Sequence, residues 1–132
     1  MKKFFYLMSL ALCMFMGAAA LSSCGDDDLA PTTISEDTVN NTLSLTFDGG
    51  DCISTWTAYF DSNDKCIKFL EADAYKKSSY ADEEWEWSGK DNPKYTRQGN
   101  TIIYDATDEY RGKTKDQIRA EFQRIVDEDA KD

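Results

Sequence analysis

Leu43, Leu45 and Phe47 alternate with Thr42, Ser44 and Thr46. A period of two puts the apolar set on one side of an extended chain and the hydroxyls on the other, which predicts a half-buried β-strand. Asp48-Gly49-Gly50-Asp51 then supplies turn residues. Residues 53–60 are rich in β-branched and aromatic side chains, and Asp61-Ser62-Asn63-Asp64 separates them from the run 65–70 as a hairpin turn does. Pairing Phe60 with Lys65 sets Ala58 opposite Ile67 and Trp56 opposite Phe69, with Thr55, Thr57, Tyr59 and Lys68 on the other side. Glu84-Trp85-Glu86-Trp87 alternates acid with indole, which predicts a strand with both tryptophans on one face. Gly99-Asn100 suits a tight hairpin between 95–98 and 101–104, pairing Arg97 with Ile102 and Thr96 with Ile103.

The last segment changes period. Thr114-Lys115-Asp116-Gln117 fits a capping box, and Ile118, Phe122, Ile125 and Val126 form one helical stripe. The pattern over 42–132 predicts an α+β domain: a mostly antiparallel β-meander of about six strands with one C-terminal amphipathic helix over about 114–129.

Residues 1–23 differ in kind. Lys2 and Lys3 precede an apolar run from Phe4 to Ala20 broken only by Ser9 and Gly17, with no acidic residue. That is the pattern of a signal peptide, since the run is at the short edge of what a membrane span needs. Leu21-Ser22-Ser23-Cys24 resembles the bacterial lipobox, a branched apolar residue and two small residues ahead of the cysteine. The resemblance implies a lipoprotein: diacylglycerol on the Cys24 thiol, cleavage before it, and stable membrane anchoring by two or three acyl chains, palmitate among them. The following Asp26, Asp27 and Asp28 resemble the acidic export signal of Bacteroidetes-type lipoproteins. That implies display on the outer face of the outer membrane, in preference to a periplasm-facing leaflet.

Composition sharpens the division. The 132 residues carry 15 Lys+Arg against 25 Asp+Glu, no histidine and a net charge of −10; losing Lys2 and Lys3 with the signal peptide makes the mature chain −12. Residues 24–41 hold five acids, no base and a Pro-Thr-Thr stretch, which reads as the lipidated cysteine followed by a disordered acidic tether, one that a first strand starting as early as Ile34 would shorten. An acidic chain disfavours nucleic-acid phosphates as partners. The missing histidine removes the commonest general base and zinc ligand.

The Tyr95-to-Ile103 hairpin after a tryptophan-rich segment resembles the repeating meander of small lipocalin-like lipoproteins over about 20 residues, although a full lipocalin barrel needs eight strands. Cys13 leaves with the signal peptide and Cys24 is consumed by lipid, so Cys52 and Cys66 are the remaining pair. An oxidising envelope suggests a disulfide between them. The hairpin register opposes it, placing Cys66 beside Tyr59 and about 23 Å from Cys52. The hairpin is the preferred reading.

Chemical sites are sparse. Asp61, Asn63 and Asp64 lack the glycine and distal glutamate of a calcium loop, and Glu83, Glu84 and Glu86 read as a solvated face. The thiols have no histidine to activate them and no phosphate loop is present, so neither metal, cofactor nor enzymatic activity is expected. The aromatic set is the suggestive feature, with Trp85, Trp87 and Trp56 as a candidate ligand platform. Two functions are compatible with this: an outer-membrane-anchored, surface-exposed, non-catalytic module binding a glycan or peptide, and an envelope interaction protein of inhibitor or immunity type binding a basic protein.

Overall fold

The computed structural model describes residues 29–130. The signal-peptide residues 1–23 with Leu21, Ser22 and Ser23, the cysteine Cys24, and the acidic run Asp26, Asp27 and Asp28 lie outside the described residues.

Six strands form one antiparallel sheet: β1 (Thr33–Asp37), β2 (Thr42–Asp48), β3 (Cys52–Phe60), β4 (Cys66–Tyr75), β5 (Tyr95–Gln98) and β6 (Thr101–Asp105). Their order across the sheet is β1-β2-β3-β4-β6-β5. The chain therefore meanders through four strands and adds the last hairpin with its second strand inward. Helices α1 (Ser78–Glu84), α2 (Thr107–Tyr110) and α3 (Lys115–Ala130) accompany a π-helical turn, Trp85–Gly89, that continues α1. The α+β class, the six strands and the C-terminal helix are as the sequence pattern predicts. β1 and β5 each pair on one side, so the described strands make an open sheet and not a closed eight-stranded barrel.

Two features of the pattern carry over residue for residue. The β5–β6 hairpin pairs Arg97 with Ile102 and Thr96 with Ile103 around Gly99, whose φ of 60° is the left-handed conformation the turn requires. At the start of α3 the Gln117 N–H donates to the Thr114 hydroxyl (3.1 Å) and the Thr114 N–H to the Gln117 side-chain oxygen (2.9 Å), a complete capping box.

Other expectations are corrected. Part of the supposed tether is strand β1, with Ile34 opposite Leu45. Its Glu36 is not a solvated spacer acid: Arg119 (3.0 Å) and Lys115 (3.5 Å) of α3 hold it, and these contacts, the Arg119 hydrogen bond foremost, keep its carboxyl below the usual range. Residues 84–87 are helical, not a strand. The β3–β4 register differs by two from the pattern, with Ala58 opposite Phe69 and Trp56 opposite Glu71, because an irregularity at Tyr59/Phe60 precedes a longer turn. In that turn the Asp61 carboxylate accepts the N–H groups of Asn63 (2.9 Å) and Lys65 (3.0 Å), while Asp64 sits at φ 59°.

Cys66 faces Phe60 and not Tyr59, at the opposite end of β3 from Cys52. The eight strand steps between Cys52 and Phe60 amount to about 26 Å, and both thiols are buried and not joined in a disulfide. Burial raises the Cys66 thiol above its ordinary range.

One face of the sheet is covered. Leu43, Leu45, Phe47, Trp56, Ala58, Phe60 and Phe69 meet Ile118 and Phe122 of α3 and Tyr110 of α2 in the main core. Phe69 stacks on Tyr110 (centroids 3.8 Å apart, 10° between planes) and lies edge-on to Trp56 and Phe122. Trp56 is 3% exposed. It is a core side chain and is corrected as a member of any surface platform.

Candidate ligand groove

A second, smaller core forms where α1 and the π-helical turn rest on the far end of the same face. Cys52, Tyr75, Ala81 and Ile102 are its buried members, with Tyr80, Trp85 and Tyr95 packed against them. Ala81, Trp85 and Gly89 recur every four residues, which places them on one side of the helical segment. The turn widens after Glu84: the Lys90 N–H donates to the Trp85 carbonyl, five residues back (2.9 Å). Trp85 then lies against Gly89, so closely that any Cβ there would collide with the indole.

The outward side of this segment carries the candidate site. Ser79, Tyr80, Asp82, Glu83, Glu86 and Trp87 line an open groove of about 410 Å³. Trp87 is 87% exposed, unlike Trp85, which is half-buried. The helical geometry separates two tryptophans that a strand would have placed side by side. The candidate platform of Trp85, Trp87 and Trp56 is thus dispersed: one indole in the main core, one in the small core, and one in the open.

The acids of the groove are held from two directions. Arg97 on β5 reaches Asp82 (2.6 Å) and also donates through Nε to the Gly99 carbonyl (2.8 Å), so its guanidinium is fixed at both ends. Lys90 closes on Glu86 (2.8 Å), which raises the lysine above its ordinary range. Glu83 has no ion pair among the described residues. Lys77 lies over the Tyr80 ring (5.4 Å), occupying one aromatic face and leaving Trp87 as the open one in the groove.

Sequence reasoning missed a different set, the acids of β4. Glu71 (1% exposed) and Asp73 (5%) lie on the covered face between the two cores. Asp73 accepts a short hydrogen bond from the Ser54 hydroxyl on β3 (2.5 Å). Glu71 stands between Trp56 and Tyr104 in the sheet register. Its charge and that of Glu109 act on Tyr95, Tyr104 and Tyr110, but burial is the main reason these phenols are raised, Tyr95 to about 12. The signal was the alternation of Glu71, Asp73 and Tyr75 with Ala72 and Ala74, which the hydrophobic pattern assigns to the wrong face. This band is sealed from solvent and joins the two cores. Among the described residues there is no cluster of three or more His, Cys, Asp or Glu able to hold a metal ion.

No known protein family, curated protein or solved structure matches this chain.

Proposed function

We propose that the chain is a lipoprotein anchored through Cys24 in the outer membrane, displayed at the cell surface, and that its domain is a non-catalytic binding module working through the Trp87 groove. The observation that carries the binding reading is the exposure of Trp87 beside a groove, on a segment pinned to the sheet by the Asp82–Arg97 pair. An indole held in water at this exposure gives up hydrophobic stabilisation unless something covers it. The π-helical turn that presents it is a geometry concentrated at functional sites.

The competing reading, an envelope interaction protein whose acidic face meets a basic partner, has Glu83 and the net negative charge in its favour. A photo-crosslinking amino acid placed in cells at position 87, and in a second strain at Ile53 on the open face of the sheet, tests the contact. Adducts concentrated at 87 support the groove; equal labelling at both positions removes it. The anchor has its own test: Cys24→Ala abolishes palmitate incorporation, and labelling that persists rejects the lipid reading.

A further inference from the structure

The groove's rim discriminates between the ligand classes an exposed indole can serve, if Trp87 is the contact proposed above. An apolar side chain laid on Trp87 would strip water from Asp82, Glu83 and Glu86 without offering them a hydrogen-bond donor, an unfavourable trade for carboxylates. A cation would find little uncompensated charge. Asp82 is already matched by Arg97 and Glu86 by Lys90, at 2.6 and 2.8 Å, which leaves Glu83 as the remaining negative group of the lining. A paired carboxylate still has lone pairs to offer, since its two oxygens present about four acceptor sites. The rim therefore offers oriented acceptors with little net field, beside the hydroxyls of Ser79 and Tyr80 and one open aromatic face.

We propose that the groove binds a neutral polyhydroxylated ligand, a carbohydrate, whose ring stacks on Trp87 while its hydroxyls donate to the carboxylates of Asp82, Glu83 and Glu86. A sugar ring has an apolar C–H face to cover the indole and O–H donors around its edge to satisfy the acceptors. It needs no buried charge. The Asp82–Arg97 and Glu86–Lys90 pairs then act as positioning contacts, fixing where the acceptors lie before the ligand arrives.

The test is affinity electrophoresis of the full lipidated chain in detergent, through gels containing amylopectin, dextran, xylan, mannan or mixed-linkage β-glucan, with hexa-arginine titrated separately. Retardation by at least one polysaccharide is expected. It should fall roughly tenfold in Trp87→Ala and less in Trp87→Phe, fall about threefold in Glu83→Gln, which exchanges a carboxylate acceptor for an amide one, and change little with added salt. No retardation by any of the five overturns the carbohydrate. Hexa-arginine binding that needs Trp87, collapses in Glu83→Gln and weakens steeply with salt also overturns it, but leaves the groove as a contact surface. Polysaccharide binding undiminished in Trp87→Ala overturns both, because the ligand then sits elsewhere.

Discussion

The two cores on one face of the sheet are built to different ends. Under α3, aromatic and aliphatic side chains interlock around Phe69 and Trp56, and the helix that closes them is capped at its start and tied to β1. Under α1 there are four buried residues, two of them small or sulfur-bearing, and the covering segment is one short helix and a widened turn. The first region spends its apolar surface inward. The second spends part of it outward, on Trp87, and relies on ion pairs and on one glycine contact to hold its shape. The buried apolar mass lies in one half and the exposed indole in the other, with Asp73 and Glu71 at the seam.

That contrast is open to measurement, beginning with the main core. Phe69→Ala should cost about 3–5 kcal/mol in urea unfolding, since it leaves a cavity between Trp56, Tyr110 and Phe122; a loss below ~1 kcal/mol would mean the α3 half is not the stabilising one. At the seam, Asp73→Ala leaves the buried Ser54 hydroxyl only the weak Cys52 thiol contact and should cost about 1–3 kcal/mol. The double variant with Ser54→Ala should cost less than the sum of the two single changes, and strict additivity would deny the coupling. In the small core, Gly89→Ala forces the Trp85 ring away and should cost about 1–3 kcal/mol together with a red-shifted indole emission; unchanged emission would show that the contact is not tight.

Alkaline pH probes the seam by another route. Tyr95 is raised to about 12, and Tyr104 and Tyr110 are raised further, chiefly by burial. The folded protein therefore holds these phenolic protons more tightly than the unfolded chain. Their contribution is complete below the unfolded value near 10 and is lost as the pH climbs through the folded values. Phenolate absorbance for these residues should rise together with unfolding; full ionisation in a still-folded chain would show that they are open to water. The smallest effect on stability belongs to Trp87→Ala, expected within about 0.5 kcal/mol of the parent, and a larger loss would make Trp87 a packing residue and not a contact.

The sequence carried the large core better than the small one, and the reason is physical. Leu43, Leu45 and Phe47 alternate cleanly because one side of β2 is dry and the other wet, and the α3 stripe has four turns in which to declare its period. The strand number agreed with expectation through two offsetting differences, a β1 where a tether was the main reading and a helix in place of the 84–87 strand. Four residues of acid–indole alternation fit either geometry; the longer spacing of Ala81, Trp85 and Gly89 was the discriminating signal. Glu71 and Asp73 escaped because burial normally excludes carboxylates, and only the Ser54 partner three-dimensionally beside Asp73 reveals how one is accommodated. For the site, Trp87 was legible as a residue, but its separation from Trp85 and the pairing of its acidic neighbours depend on the π-helical turn and on Arg97, which arrives from a different hairpin.

The pairing of β1 also sets a height. A lipid on Cys24 would stand about nine residues before Thr33, so the fully extended leash spans at most ~32 Å, well short of what a tether running to Asn41 would allow. β1 is one rim of the sheet and β5, beside the groove segment, is the other, five strand spacings or about 24 Å away. If the chain is anchored through Cys24 as proposed, the lipid attaches on the β1 side and the groove lies on the opposite rim, so the width of the sheet would itself act as a spacer between Trp87 and the headgroups.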